Sequence, residues 1–352
     1  VVASLFIAYQ MVHTMFATQI SGVTQGGSDL NEDQKYAWAT QWSLPKSETW
    51  SLISCDFHGA SSRSVDSPYW GRMGQSDGWE QSRQGFRNFR LAGYAIGVIP
   101  FMLIAFLYII MLSGKDAPAP EGDDRRKIWI FSLLAVLSLV LSWGKYFPLY
   151  KLFYMAPYMG TIRNPDKWLG AFSLFMCLIL AFAIDTFRRL RSEGDDELRR
   201  KVMKRGSQLL LFIPVIATTC LLYLLSSRAN FISKLKADGF PAVAWNNAVG
   251  ITIQTLIVFG IAITIVYFFL SSRGPAGHKR GIILLYCVTL LMTFELIKAG
   301  TPFLEDHDYR PSLTRNALTV FLDGQKNEGR IKLLPPRHPL LNNWRLSILT
   351  AG

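Results

Sequence analysis

Residues 168–187 read WLGAFSLFMCLILAFAIDTF, in which Asp185, near the end, is the one charged residue. A helix needs about 20 mostly apolar residues to cross a hydrocarbon layer of about 30 Å. This stretch meets that length, so it predicts a transmembrane helix. The chain that contains it is expected to be an integral membrane protein.

The composition agrees with that expectation over the whole chain. The protein has 352 residues, of which 50% are hydrophobic, and a formal net charge of +12. These values exclude an ordinary soluble globule and a disordered tail. Seven stretches satisfy the length and hydrophobicity of a span. They are Val1–Ile20, Leu91–Ser113, Ile128–Phe147, Trp168–Phe187, Gln208–Ser226, Asn247–Leu270 and Gly281–Lys298.

The first stretch lacks an initiator Met and a basic segment before its apolar run, so it is interpreted as a span cut at its start and not as a signal peptide. The chain is therefore expected to be a fragment. Cys177, Cys220 and Cys287 lie in predicted spans and Cys55 in a loop, without CxxC spacing. No disulfide framework, metal site or cofactor is expected, and the redox compartment stays open.

Orientation follows from the basic loops, because Lys and Arg in short loops favour the cytoplasmic side. The loops 115–127, 188–206 and 273–280 are the basic ones. Placing them inside puts the amino terminus of this chain inside, which argues against a seven-span receptor. The outer face then receives residues 21–90, a long loop domain, together with 145–167, 227–245 and the segment 299–352. Residues 91–298 form a six-helix transmembrane region between these outer parts.

The outer loop 21–90 is rich in tryptophan and in turn sequences. One interpretation is an interfacial aromatic belt with a small core, and the other is a platform for sugar or lipid head groups. The tail sequence SLTRNALTVFLDGQKNEGRIKLLPP, residues 312–336, predicts a short helix, a turn and a strand. The segment from 299 onward is therefore expected to begin an extracytoplasmic α/β domain.

The start of the helix at Trp168 carries the sequence YMGTIRNPDKW. Asn164 is a good N-cap and Asp166 complements the helix dipole. Arg163 and Lys167 oppose that dipole, and a phosphate held between them and the helix N–H groups would reverse the penalty. The alternative is that both cations extend to the head-group phosphates of bulk lipid.

The preceding segment, WGKYFPLYKLFYMAPYMG, is aromatic and too short to span. It places Lys145 and Lys151 on the face where positive charge is disfavoured. A segment of this kind lies flat in the membrane interface. Both lysines are therefore candidate ligands of a lipid-linked phosphate.

Other charged residues fall near the outer face. Glu295 and Lys298, spaced i, i+3, either pair with each other or line an outer cavity. Asp56 and His58 are the weak candidates for acid–base catalysis, and the catalytic residues otherwise stay unknown. No P-loop, GxSxG, HExxH or dinucleotide motif is present in the sequence.

At the cytoplasmic end of the fourth span, Asp185 is followed by Arg188 and Arg189. Charges inside a span are functional candidates by default, but these three residues lie where the span ends. Asp185 is therefore expected to be a surface ion partner.

Four segments resemble, in order, the bacterial YfhO family of membrane proteins. They are QWSLPKSETWSLISCDFHGASS, SPYWGRMG, LSWGKYFPLYKLFYMAPYMGTIRNPDKW and TRNALTVFLDGQKNEGRIKLL. The matching motifs lie at Trp42–Pro45, Phe57–Gly59, Leu141–Tyr150 and Ile162–Pro165. His58 stands where the family more often has Gly, and Lys46 follows Pro45.

The resemblance implies a relation to the GT-C class of membrane glycosyltransferases, which use sugars linked to polyprenyl phosphate on the outer face. In that class the catalytic acid lies in the loop after the first span, upstream of this chain. The implied function is part of such an enzyme in the bacterial cytoplasmic membrane, with membrane lipids and the sugar donor as partners. The alternative is a non-catalytic integral subunit that packs against other membrane proteins; transport has less support, and no nucleic-acid partner is expected.

Overall fold

The computed structural model describes residues 31–60, 67–76, 78–85, 87–88, 90, 93–112, 120–156, 159–193, 196–271 and 274–304. All regular secondary structure in these ranges is helical. The α-helices are α1 (Glu32–Ala39), α2 (Trp79–Ser82), α3 (Val98–Met111), α4 (Gly122–Ser142), α5 (Tyr150–Met155), α6 (Trp168–Glu193), α7 (Asp196–Leu210), α8 (Phe212–Ser226), α9 (Arg228–Ala237), α10 (Val243–Ser271) and α11 (Gly274–Gly300). Short 3₁₀ helices occupy Lys46–Leu52, Gly144–Tyr146, Met159–Thr161, Pro165–Lys167 and Thr301–Phe303. The predicted first span and the predicted helix, turn and strand of the tail lie outside the described residues.

Four helical stretches are long and apolar enough to cross a membrane. They are Pro165–Ser192, Asp196–Ser226, Val243–Ser271 and Lys279–Phe303. Each contains one of the spans predicted from the sequence. The chain is therefore a helical membrane protein, and these four helices carry its transmembrane character.

Two other predicted spans differ from the helices found. Within Leu91–Ser113 the helix α3 covers only 14 residues, which at 1.5 Å per residue is about 21 Å. That length is short of a hydrocarbon layer of about 30 Å. In place of Ile128–Phe147, α4 begins six residues earlier, at Gly122, and ends at Ser142, where the chain turns into a 3₁₀ helix.

Helix α3 lies at the centre of the helical packing. Most of its residues are buried, and Phe106 and Leu107 are fully so. Its surroundings include α6, α7 and α10, which contribute Phe187, Val202 and Val258 to one apolar cluster. Neighbouring helices therefore bury most of the surface of this short helix.

The stretch Asp196–Ser226 is divided between α7 and α8 at Leu211. Pro214 explains this irregularity, because proline has no N–H and its ring clashes with the carbonyl four residues earlier, at Leu210. The hydrogen bonds from Leu211 to Ser207 and from Val215 to Leu211 are kept, so the disturbance is confined to one turn.

Segments of the first loop cross the ends of the long helices. The N–H of Leu44 donates to the carbonyl of Ser142 at 2.8 Å, and Ser54 Oγ lies 2.7 Å from Thr255 Oγ1. Asn247 Nδ2 donates to the carbonyl of Asp56 at 2.9 Å. These contacts hold the described part of the loop against the helices, and a cavity forms between them.

Candidate functional site

A cavity of about 340 Å³ lies between the first loop and the helix ends around α9. Its apolar wall is aromatic, with Trp70, Tyr223, Phe231 and Phe240. Its polar wall carries both signs of charge. The polar lining residues are Ser47, Glu48, His58, Arg72, Lys234 and Asp238.

The indole of Trp70 organises the aromatic wall. Its Nε1 donates to the carbonyl of Phe57 at 3.3 Å, and its ring lies 4.5 Å from that of His58 and 5.6 Å from that of Phe231. Aromatic pairs at such separations stabilise one another beyond their buried area. The wall is therefore fixed before any ligand arrives.

Glu48 supports the polar wall from beneath and is only 2% exposed. Its Oε1 accepts from the backbone N–H of Arg72 at 2.6 Å, and its Oε2 accepts from the hydroxyl of Tyr69 at 2.8 Å. Burial raises the pKa of Glu48, while its hydrogen bonds and the charge of Arg90 oppose that rise. A carboxylate whose oxygens are both engaged positions its neighbours and is poorly placed to take a proton from a substrate.

Gly71 shows how closely Glu48 fits. A Cβ on Gly71 would lie 2.5 Å from the carboxylate of Glu48, so a side chain at this position would displace it. The next residue, Arg72, enters the cavity: its Nη2 contacts Asp238 at 2.9 Å, and its guanidinium lies 4.9 Å from the ring centre of Phe240. The buried carboxylate thus determines where this arginine emerges.

His58 is a wall residue of the cavity and is 5% exposed. Its Nδ1 lies 2.8 Å from Ser51 Oγ. Burial, and then the charges of Arg90 and Arg72, lower the pKa of His58 to about 3. At neutral pH the imidazole is uncharged, so it can exchange hydrogen bonds with a ligand without adding positive charge.

Asp56, the other residue of the predicted acid–base pair, has different surroundings. Its backbone is left-handed, with φ of 61°, and its carboxylate lies 3.7 Å from the guanidinium of Arg90. Burial raises the pKa of Asp56, and the nearby Arg90 and Lys298 lower it. The lining of the 340 Å³ cavity includes His58 but not Asp56. Joint catalysis by the pair stays a prediction.

The predicted phosphate-binding residues are spread around α1 and the start of α6. The guanidinium of Arg163 stacks 3.7 Å from the ring centre of Trp38, while Lys167 is exposed. Lys151 pairs with Asp33 at 3.2 Å. Lys151 is exposed as well, so Lys151 and Lys167 both lie at the surface.

The remaining predicted ligand, Lys145, is half-buried. Its Nζ lies 5.8 Å from the ring centre of Tyr146, and its backbone N–H donates to Ser43 Oγ at 3.0 Å. Lys145 is thus tied to the loop–helix junction. Phosphate binding by the four predicted residues stays a prediction.

The helix start at Pro165 differs from the N-cap predicted for Asn164. Asn164 occupies the cap position, but its side chain makes no cap hydrogen bond, because its backbone is left-handed with φ of 66°. The N–H of Asp166 donates to the carbonyl of Trp42 at 3.0 Å, and that of Lys167 donates to Asn164 at 3.1 Å. These two N–H groups are therefore already engaged by the protein.

Three buried polar atoms in the same turn lack hydrogen-bond partners: Arg163 Nε, Asn164 Oδ1 and Asp166 Oδ1. Buried polar atoms are normally paired, with protein or with ordered water. One donor and two acceptors suit a water or a hydroxyl group better than a phosphate, which offers acceptors alone at full ionisation. The turn thus keeps unpartnered polar atoms, and phosphate binding by Arg163 and Lys167 stays a prediction.

Glu295 and Lys298, expected either to pair or to line an outer cavity, have other hydrogen-bond partners, and cavity lining stays a prediction. Glu295 Oε1 accepts from the backbone N–H of Val98 at 2.9 Å, at the start of α3, and Lys298 Nζ donates to Gln254 Oε1. The first N–H groups of a helix have no partner within the helix, so the buried start of α3 offers Glu295 a hydrogen-bond donor. Lys298, one turn away, is exposed and makes its contact elsewhere. Neither residue belongs to the lining of the 340 Å³ cavity.

Sequence reasoning missed Glu48 and Arg72, although both lie in segments quoted for the family resemblance, and it named Trp70 only as one of the tryptophans of the outer loop. SPYWGRMG places an aromatic residue and an arginine two positions apart, in a turn. That pattern could have indicated a ligand-binding wall. The burial of Glu48 has no sequence pattern that predicts it.

Within the described ranges, no group of three His, Cys, Asp or Glu side chains could hold a metal ion. Comparison of the chain with protein-family models, curated proteins and solved structures finds no match. The cavity and its chemistry therefore carry the functional argument.

Proposed function

We propose that this chain is part of a GT-C-like membrane glycosyltransferase and that its 340 Å³ cavity holds a polyprenyl-phosphate-linked sugar. The observation that carries the proposal is the combination, in one cavity, of an aromatic wall with Arg72 and Lys234. A sugar ring presents apolar C–H faces that pack on aromatic side chains, and its phosphate suits guanidinium and ammonium groups.

The topology proposed from the sequence supports this use of the cavity. Two separate segments build the cavity, 47–72 and 223–240. The positive-inside rule assigns the loops 21–90 and 227–245 to the same, outer side. In this proposal the protein has seven spans in the bacterial cytoplasmic membrane, with the amino terminus of this chain inside and the segment from 299 outside. The cavity then opens where a lipid-linked sugar displays its head group.

The division of labour within the cavity follows from charge and exposure. Lys234 is exposed and can move to meet a phosphate, whereas Arg72 is anchored by Asp238. Neutral His58 and the carboxylate of Asp238 offer hydrogen bonds to sugar hydroxyls. Glu48 acts as a positioning residue. In this proposal the residues that line the cavity bind and orient the donor.

The proposal is tested by binding of a short-chain polyprenyl-phosphate sugar to the full chain in nanodiscs, measured by native mass spectrometry. Lys234→Ala is expected to weaken binding by roughly ten-fold or more, the loss of one charge-assisted contact. Lys236→Ala is the matched control, because both lysines are exposed on α9 and only Lys234 lines the cavity.

A further arm of the same experiment is Arg163→Ala. If Arg163→Ala reduces binding and Lys234→Ala does not, the donor lies at the start of α6 and the cavity assignment is wrong. Equal affinity across wild type and all variants would remove both sites.

A further inference from the structure

A second cavity, of about 180 Å³, adjoins the first and shares Arg72, Asp238 and Phe240 with it. Its wall carries two more arginines, Arg83 and Arg87. We propose that this second cavity is a phosphate-binding site in which Arg83 and Arg87 are the principal ligands. Lys234 does not line this second cavity. The proposed phosphate binding does not depend on which sugar the first cavity holds.

Stacking on aromatic rings holds the three guanidinium groups in place. Arg83 lies 4.5 Å from the ring centre of Trp79, and Arg87 lies 4.8 Å from that of Phe240, which Arg72 also contacts. A guanidinium stacked on a ring keeps its N–H edge free for a planar, two-pronged contact. Arg83 and Arg87 therefore reach the cavity with part of their side-chain entropy already lost, which favours binding.

The charge balance of this cavity is positive. Its lining has three arginines against two carboxylates, those of Glu80 and Asp238. Both carboxylates contact Arg72, Asp238 at 2.9 Å and Glu80 at 3.8 Å. Among the described residues, Arg83 and Arg87 have no carboxylate partner.

Arg72 and Arg87 also act on each other. Desolvation, and then the charge of Arg72, lower the pKa of Arg87. An oxyanion placed between the arginines would relieve this repulsion, and a phosphate with several oxygens can bridge two guanidinium groups. The geometry thus points to a group with more than one acceptor atom and at least one negative charge.

The backbone at Arg83 is shaped for this placement. Arg83 is left-handed, with φ of 55°, and closes the short helix α2 by donating to the carbonyl of Trp79 at 2.7 Å. A non-glycine residue with positive φ is uncommon and costs free energy. The turn returns the side chain of Arg83 to the ring of Trp79, at the edge of the cavity.

A phosphate at this place could come from a free phosphate compound or from the head group of a lipid. The test uses the full chain in phosphatidylcholine nanodiscs, in phosphate-free buffer, with inorganic pyrophosphate and a short-chain polyprenyl phosphate as two probes. Binding is measured by isothermal titration calorimetry. Wild type is expected to bind at least one probe with saturation. Arg83→Ala and Arg87→Ala are each expected to weaken that binding by at least ten-fold.

Arg200→Ala is the control, because Arg200 is an exposed arginine on α7 outside both cavities. Binding of both probes would assign the site to free phosphate compounds as well, whereas binding of polyprenyl phosphate alone would assign it to a lipid head group. If a double variant, Arg83→Ala with Arg87→Ala, still binds both probes as the wild type does, the inference is overturned. If Lys234→Ala weakens binding of polyprenyl phosphate and the double variant does not, the second cavity is not the phosphate site. The proposed function is then left intact.

Discussion

The backbone N–H of Arg72 donates a 2.6 Å hydrogen bond to the carboxylate of Glu48, 24 residues earlier in the chain. The second carboxylate oxygen accepts from the hydroxyl of Tyr69 at 2.8 Å, and that hydroxyl in turn accepts from the N–H of Met73 at 3.0 Å. One buried acid thus ties together the turn that supplies Trp70 and Arg72 to the cavity.

Replacement of Glu48 by Ala is expected to lower the free energy of unfolding by about 2–4 kcal/mol, because two buried donors lose their acceptor. Glu80→Ala is the control, since the carboxylate of Glu80 is exposed and lies 3.8 Å from Arg72. It should cost less than about 1 kcal/mol. Chemical unfolding in detergent measures both, and similar costs for the two variants would argue against a buried structural acid.

Acid should destabilise the protein through His58. The pKa of His58 is lowered to about 3 in the fold, against about 6.5 in an unfolded chain. The unfolded state therefore takes up a proton first as the pH falls. The stability that neutral His58 contributes is complete above about pH 6.5 and is lost below it, by about 1.4 kcal/mol per pH unit.

The measurement is the unfolding free energy of wild type and His58→Gln at pH 7 and pH 5. The wild type should lose about 2 kcal/mol more than the variant over this range. Parallel pH dependence of the two proteins would show that the imidazole is not held neutral.

Glu295 caps the amino end of α3, and its Oε1 lies 2.9 Å from the N–H of Val98. Glu295→Ala should cost about 1–2 kcal/mol, the usual effect of losing an N-cap, while Glu295→Gln keeps an acceptor and should cost less. Thermal unfolding of both variants tests this, with Lys298→Met as the control on the same helix. A cost of Lys298→Met equal to that of Glu295→Ala would contradict a specific cap.

Two helical glycines should respond oppositely to alanine. A Cβ on Gly206 would overlap the buried ring of Phe106, whereas a Cβ on Gly250 meets no atom within 4 Å. Gly206→Ala is expected to destabilise by about 1–3 kcal/mol through overpacking. Gly250→Ala should stabilise by about 0.5–1 kcal/mol, because alanine favours the helix. Melting temperatures shifting in the same direction would sink this account of the α3–α7 contact.

Local sequence patterns predicted the parts of the fold that depend on local physics. Residues 168–187 lie in one long apolar helix, and Asp185 pairs with Arg189 at 2.8 Å, as expected of a surface ion partner. Long apolar runs and i, i+4 charges are visible in a single stretch of chain. The orientation of the helices and the number of spans stay predictions.

The cavity could not be predicted in the same way, because its contacts join distant segments. Arg72 meets Asp238 across 166 residues. A carboxylate such as Glu48, in a polar loop segment, reads as a solvated side chain until the fold buries it. The burial of Glu48 and its hydrogen-bond partners depend on the packing of the loop against the helices, which a single stretch of sequence does not show.

The central claim is that a lipid-linked sugar phosphate occupies the 340 Å³ cavity lined by Trp70, Arg72 and Lys234. A cryo-electron microscopy map of the full chain in nanodiscs, prepared with and without a short-chain polyprenyl-phosphate sugar, tests it directly. The account predicts extra density against the aromatic wall, within hydrogen-bond distance of Arg72 or Lys234. Density at Arg163 and Lys167 instead, or identical maps at saturating ligand, would contradict it.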